Sequence, residues 1–236
     1  MLDIHSHILH RFDDGPVSIE KSIELIKALE ASGVTDAVAS SHFYSHRMSI
    51  DEFCDRRDRR IAELKEAAVQ NDIRLNILSG AEVHIDRLLL NAETLRPLCI
   101  EGTNTILLEI PHDTVDMEEP LYLIEKIISY YSVKPVIAHV ERYGFFFRRM
   151  KNLTYFKDMG CIIQIDAVCL MSGIFMRNFA LKAIKKGYVD VIASDCHDVE
   201  LREPNLAKAY AVIEKKLGTE TVQYLKNNAE MLIEKE

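Results

Sequence analysis

No run of apolar residues in the 236-residue chain approaches the roughly 20 that a membrane-spanning helix requires. The first residues lack the basic start, apolar middle and small-residue cleavage site of a secretory signal. The five cysteines, Cys54, Cys99, Cys161, Cys169 and Cys196, are odd in number and include no C-x-x-C pair, so neither a disulfide framework nor a thiolate zinc site is indicated. Excess positive charge is also missing. The 29 Lys and Arg against 37 Asp and Glu give a formal charge of -8, which disfavours unspecific binding to nucleic acid or anionic lipid. These absences lead us to expect a cytoplasmic protein with reduced thiols, no nucleic-acid partner and no membrane insertion. No Pro-rich or Gly/Ser linker, low-complexity tract or repeat interrupts the chain, so one domain over residues 1–236 is expected.

Hydrophobic residues make up 48% of the chain and charged residues 28%, which is ordinary for a soluble protein and sufficient for a sizeable core. Strand-like and helix-like patterns alternate along it. Leu2-Asp3-Ile4 opens a strand, and Ser18 stands as N-cap before Ile19, Ile23, Ile26 and Leu29, which recur at helical spacing until Gly33. Six more strands are expected over 34–40, 73–79, 105–110, 134–138, 161–166 and 189–193. Helices are expected over about 50–71, briefly between 86 and 98, and over 119–131, 153–159 and 175–186, with one or two more from 205 onward. Near-continuous apolar strands alternating with helices indicate a parallel sheet covered by helices.

The residues that stand out are at strand ends. His5 and His7 leave the first strand two residues apart, hence on one side of an extended backbone, and Asp13-Asp14-Gly15-Pro16 follows. His42, Glu82, Glu109, His139, Asp195 and His197 mark the carboxyl ends of later strands. An open sheet gathers its site at one switch point, whereas every strand end of a barrel faces one mouth, so this spread favours a barrel. Imidazoles and carboxylates without thiolates suit zinc, manganese or iron. Eight such donors exceed the needs of one ion, so two or three metals are expected, with a carboxylate bridging, and such sites promote in-line phosphoryl displacement. Packing explains a single histidine at a strand end, but not a set repeated in register.

The motifs Asp3-Ile4-His5-Ser6-His7, Asp13-Asp14-Gly15-Pro16, Ser41-His42, Gly80-Ala81-Glu82, Leu108-Glu109, Ala138-His139-Val140-Glu141-Arg142 and Ser194-Asp195-Cys196-His197, in that order, resemble the PHP (polymerase and histidinol phosphatase) superfamily. More narrowly, they resemble the manganese-dependent protein tyrosine phosphatases of bacterial capsular and extracellular polysaccharide systems. The resemblance covers essentially the whole chain. It implies a distorted (β/α)7 TIM-like barrel of the PHP fold with three divalent ions, manganese first, iron or zinc as alternatives. Residue by residue it implies His5, His7, Glu82 and Asp195 on one metal, Glu82, Glu109 and His139 on a second, and Asp14, His42 and His197 on a third. Arg142 and Arg202 match two arginines that bind the substrate phosphate. The implied substrate is the phosphorylated, tyrosine-rich tail of a cognate bacterial tyrosine kinase. A histidinol-phosphate or other small-molecule phosphatase, or a non-catalytic metal-bound scaffold, would share many of the same residues.

Some readings stay open at this level. Asp13 is an alternative ligand, with Asp14 as the turn residue before Gly15. Cys196 and Arg202 form a C-x5-R, the spacing of cysteine-dependent tyrosine phosphatases, but the loop between them has no glycine and carries Asp198 and Glu200, which repel an anion. Tyr143 and the run 145–149 are a candidate rim for a phosphotyrosine ring, with packing against the fold as the alternative. Arg56, Arg57, Arg59 and Arg60 read as a solvated helix face interleaved with Asp55 and Asp58. His10, His46, His84 and His112 match no motif and are expected at the surface or behind the ligands.

Overall fold

The computed structural model describes residues 1–234. The elements run β1 (Leu2–Ser6), α1 (Ile19–Ala31), β2 (Asp36–Ala39), β3 (His42–Phe43), α2 (Ile50–Gln70), β4 (Asn76–Ser79), β5 (Glu82–His84), β6 (Thr105–Glu109), α3 (Glu118–Tyr131), β7 (Lys134–Ile137), α4 (Gly144–Arg148), α5 (Leu153–Asp158), β8 (Ile162–Asp166), α6 (Ile174–Lys185), β9 (Val191–Ala193), α7 (Leu206–Leu217) and α8 (Thr219–Met231). The fold is mixed α/β and all strand pairs are parallel. One sheet has the order β1-β2-β4 and the other β3-β5-β6-β7-β8-β9. Ser6 and Cys196 form a parallel bridge, and Asp195 N donates to His5 O at 2.9 Å, so the end of β1 lies beside the end of β9.

The seven expected strands correspond to β1, β2, β4, β6, β7, β8 and β9; β3 and β5 are additional. Both arise from breaks, at Ser40-Ser41 and at Gly80-Ala81, across which the chain leaves the first sheet and joins the second. The sequence reading ends these strands at Ser40 and Ser79, because a polar or glycine break signals a strand end and cannot report that the chain resumes pairing with a different neighbour. The break at Gly80 depends on its missing side chain, because a Cβ there would lie 2.5 Å from Val38 Cγ1. The two breaks fall at the same height. They set His42 opposite Glu82 in the register of β3 and β5.

The helices follow the sequence closely. Ser18 caps α1 by accepting from Lys21 N, and Ser49 and Glu52 form a reciprocal capping box at the start of α2. Between 86 and 98 two separate 3-10 turns, Arg87–Asn91 and Arg96–Leu98, replace the single short helix expected. The solvated arginine face needs correction. Arg57 is buried and donates from Nη1 to Gly80 O at 3.3 Å and Pro97 O at 2.8 Å, while Arg56 donates to Arg11 O at 2.7 Å and Phe12 O at 3.0 Å. Arg57 stands four residues after Phe53 and four before Ile61, so the helical period puts it in the buried stripe, and the carbonyl of the strand break supplies its partner.

Two apolar clusters fill the interior. The larger lies between strands and helices, and the smaller gathers Leu2, Ile4, Val38, Leu107, Val136 and Val191 with Ala229 and Leu232 of and beyond α8. No helix among the described residues is long and apolar enough to cross a membrane.

Candidate metal centre

The carboxyl ends of the strands bring the nine candidate ligands into one cluster. Glu82 is at its middle: Oε2 lies 3.3 Å from His5 Nε2, 3.2 Å from His7 Nε2 and 3.0 Å from His42 Nδ1, and Oε1 lies 2.7 Å from His139 Nε2. Asp195 Oδ1 is 3.3 Å from His5 Nε2 and 3.5 Å from His7 Nε2. Glu109 reaches His139 at 3.6 Å and His42 at 3.8 Å. Asp14 Oδ1 is 3.1 Å from His197 Nε2 and 3.5 Å from His42 Nε2. Three sets have donor atoms mutually within 4.8 Å: His7, Asp14, His42 and His197; His5, His7 and Asp195; His42, Glu82 and Glu109. His7 and His42 each belong to two of these sets, so the grouping is tighter than the division the family resemblance implies.

Both arginines reach the same place. Arg142 Nη2 donates to Asp166 Oδ2 at 2.6 Å and also to Asp195 Oδ2, while Arg202 donates to Asp195 Oδ2 at 2.7 Å and Asp14 Oδ2 at 3.0 Å. Asp195 therefore offers one oxygen to the guanidinium groups and the other to the imidazoles. His139 and Asp195 both have left-handed backbones, with φ of 34° and 51°, an unfavourable conformation for a residue with a side chain that is held here by the surrounding hydrogen bonds.

The electrostatics are those of a cluster that wants cations. Burial opposes charge on His5, but Glu82 and Asp195 beside it overcome this and raise its pKa to about 9. His7 is likewise raised against burial, by Asp13 and Glu82. Burial also opposes the charge on Asp14, yet the close approach and charge of His197, with His7 and His42 nearby, hold its carboxyl at about 2. Glu82 and Asp195 are held low in the same way despite burial, with His5 foremost among the opposing charges. His42 Nδ1, Glu82 Oε2 and His197 Nε2 are buried without a partner in hydrogen-bonding geometry, although opposite groups lie within about 3 Å of each. Atoms so close yet misaligned for hydrogen bonds converge on shared points, as ligands do around a metal. The donor chemistry fits divalent manganese, iron or zinc, whose binding displaces the imidazole protons.

Gln164 and Asp166 escaped the sequence reading, which gave Asp3 no role of its own, took Asp13 only as a possible ligand and took Tyr143 as a candidate rim. Asp13 accepts from His42 N at 3.1 Å and Gly15 N at 3.1 Å, and its Oδ2 lies 2.9 Å from His7 Nδ1, behind the ring and away from the cluster that Asp14 faces. Gly15 permits this turn, since a Cβ there would sit 2.5 Å from His7 O. Gln164 Oε1 lies 3.3 Å from His5 Nδ1 and accepts from His139 N at 3.0 Å, and its Nε2 donates to Asp166 Oδ1 at 2.9 Å. One buried Gln–Asp pair thus links the His5 imidazole and the His139 backbone to Arg142. Tyr143 is buried, with its hydroxyl accepting from Ile110 N at 3.0 Å and lying 3.2 Å from His139 Nδ1. Gln164 and Asp166 had one available signal, polar residues two apart in an apolar strand. Asp3, also buried, accepts from Ser194 N at 3.0 Å.

His84 and His112 flank Glu109 at 3.4 and 3.2 Å, whereas His10 pairs with Glu63 and His46 is largely exposed. Of the candidate rim, Tyr143, Phe145 and Phe146 are packed inside, and only Phe147, Arg148 and Arg149 face solvent. The C-x5-R spacing does not form a phosphate cradle. Cys196 is buried in the core, where burial and then Asp3 push its thiol well above the ordinary range. The backbone N–H groups of Glu200, Leu201 and Arg202 all donate to Asp198 Oδ1, which leaves none of these three for an anion.

Comparison with known proteins agrees over the full length. YwqE of Bacillus subtilis (strain 168), a tyrosine-protein phosphatase, is 30% identical over 99% of this chain and 91% of its own, and the putative tyrosine-protein phosphatase CapC of Staphylococcus aureus is 32% identical over 96% and 89%. A solved structure from the pair YwqE of B. subtilis and CpsB of Streptococcus pneumoniae, described as unique metal-dependent tyrosine phosphatases, superposes with a TM-score of 0.86 at 28% identity, covering 99% of this chain and 94% of that one. A TatD-like protein of Archaeoglobus fulgidus shares the fold, with a TM-score of 0.52 at 14% identity over 98% and 99%. The sequence profile of the CpsB/CapC family of capsular polysaccharide synthesis matches residues 1–234, and the chain belongs to that family.

Proposed function

We propose that this protein is a metal-dependent phosphotyrosine phosphatase that acts on the tyrosine-rich tail of a cognate bacterial tyrosine kinase and so regulates capsular or extracellular polysaccharide synthesis. The observation that carries the proposal is the convergence of nine imidazole and carboxylate side chains, from separate strand ends, beside two guanidinium groups. The names of relatives matched over nearly their whole length, YwqE and CpsB as tyrosine-protein phosphatases and CapC as a putative one, support the same reaction. The β1–β9 bridge supports reading the two sheets as one distorted seven-stranded barrel in which β2 continues into β3 and β4 into β5.

His5, His7, Glu82 and Asp195 would hold one ion, Glu82, Glu109 and His139 a second, and Asp14, His42 and His197 a third. Three divalent ions, with manganese the first choice and iron or zinc the alternatives, would supply a water of lowered pKa and positive charge toward the phosphoryl oxygens. The chain's own residues do the rest. Arg142 and Arg202 exchange part of their contact with Asp195 for two phosphate oxygens, a bidentate geometry that favours the more highly charged transition state. Asp166 fixes the orientation of Arg142, and Gln164 fixes the ring of His5 and the backbone of His139. Tyrosinate, with a solution pKa of about 10, leaves with less proton assistance than an alkoxide needs.

The test is parallel turnover of p-nitrophenyl phosphate, a phosphotyrosyl peptide and histidinol phosphate after loading with manganese, iron or zinc. Preference for the phosphotyrosyl peptide is expected. Preference for histidinol phosphate would move the protein to small-molecule metabolism, and failure with every substrate and metal would leave a scaffold.

A further inference from the structure

Beyond Arg142 the chain carries a cationic and aromatic strip to which the reaction gives no role. Arg148, Arg149 and Lys151 are exposed, and among the described residues none has a hydrogen bond or ion pair from its side-chain nitrogens. The strip gathers these three cations within four residues of a chain whose net charge is -8. Next to the free cations, Phe147 is 44% exposed and stacks on Phe179 with ring centroids 5.1 Å apart. One turn before Phe179 on the same face of α6, Phe175 is 82% exposed.

The strip is continuous with the candidate centre. The 3-10 turn Val140–Arg142 leads directly into α4, whose last residues are Phe147 and Arg148. Helix α6 packs against that turn and against the Ala167–Leu170 turn that follows Asp166. Asn152 Nδ2 donates to Phe145 O at 3.0 Å, which fixes the basic turn to α4. A peptide whose phosphotyrosine reaches Arg142 must leave the mouth across one of its rims, and this rim offers unpaired cations beside aromatic faces. Carboxylates or further phosphates would meet the first, and flanking aromatic rings the second.

Resting on the phosphatase reading above, we propose that Phe147, Arg148, Arg149, Lys151 and Phe175 form a docking surface for an acidic, tyrosine-rich segment flanking the phosphotyrosine that is hydrolysed. The strip selects among phosphotyrosyl proteins and takes no part in the chemistry. The same composition would suit an anionic membrane surface, but continuity with the phosphate-binding Arg142 favours the peptide.

The experiment compares the metal-loaded wild type with the triple variant Arg148→Gln/Arg149→Gln/Lys151→Gln and with Phe175→Ser. The substrates are p-nitrophenyl phosphate, a phosphotyrosyl peptide flanked by Glu and Tyr, and one flanked by Gly and Ser. The triple variant should lose about tenfold in kcat/KM on the acidic peptide, mostly through KM, while p-nitrophenyl phosphate stays within about twofold. The wild-type preference for the acidic peptide should shrink as salt shortens the Debye length from about 10 Å toward 3 Å. Phe175→Ser should show a smaller loss confined to the tyrosine-rich peptide. Binding of the acidic peptide carrying a non-hydrolysable phosphonate, read by fluorescence anisotropy, tests the strip even where turnover fails, so failure of the phosphatase reading stays distinguishable. Equal losses on all substrates, or unchanged handling of the acidic peptide, would overturn the proposal. Loss of phosphatidylserine-vesicle binding with peptide kinetics intact would overturn it in favour of a membrane surface.

Discussion

Two layers lie along the same parallel strands and have opposite characters. In one, Leu107, Val136 and Val191 pack with Leu2, Ile4 and Val38 and contain no polar side chain. In the other, a step toward the carboxyl ends, Glu109 follows Leu107, Asp195 follows Ala193, and His139 follows Ala138, all buried. The apolar layer contributes stability by leaving water, roughly 25 cal/mol per Å². The polar layer costs stability, because buried carboxylates and imidazoles pay for desolvation that their mutual contacts only partly offset. One layer therefore holds the strand ends in place, and the other is tensioned toward a ligand it needs.

Substitutions should separate the two. His5→Ala or Asp195→Asn should lower kcat by on the order of 1000-fold or more and reduce the bound metal measured by mass spectrometry, while circular dichroism stays native. Activity retained by both would mean that the polar layer is not the reaction centre. In the other layer, Leu107→Ala should cost about 2–5 kcal/mol in denaturant unfolding and leave kcat per folded molecule unchanged. Chelation should abolish turnover and lower the melting temperature, with readdition of manganese at about 100 times its dissociation constant restoring about 2.7 kcal/mol. A melting temperature indifferent to chelator would contradict the tension assigned to the polar layer.

Smaller effects test the connection between ligands and arginines. Gln164→Leu and Asp166→Asn should each cost about 10- to 100-fold, the first in metal affinity and the second in inhibition by inorganic phosphate. If Asp166 acts through Arg142, Asp166→Asn should add little in an Arg142→Ala background, which a double-mutant cycle reads directly. Cys196→Ser should change kcat by no more than about twofold, since the thiol is a core group here. A large loss there would revive the cysteine mechanism.

Much of this architecture was legible because it is local. Near-continuous apolar runs mark the strands, helical spacing and Ser18 mark α1, and donors that close a strand must lie at its end. The breaks at Ser40-Ser41 and Gly80-Ala81 were not legible, since no residue there reports which neighbour the strand will pair with. Arg57 was misread because a charged residue in a buried stripe looks like surface until the Gly80 and Pro97 carbonyls are in place. Gln164 and Asp166 were passed over because their partners, His5 and Arg142, are far away in the chain.

By itself, then, the sequence determined the kinds of candidate ligand, their place at strand ends and the lack of a C-x-x-C pair, all matters of composition and short-range periodicity. Tertiary structure decided which carboxylate faces which imidazole, that Asp14 fronts His197 while Asp13 backs His7, and that Arg142 and Arg202 meet on Asp195. Those pairings depend on the register between parallel strands and on loops joined across the whole chain, and no local pattern encodes a distance between residues that far apart.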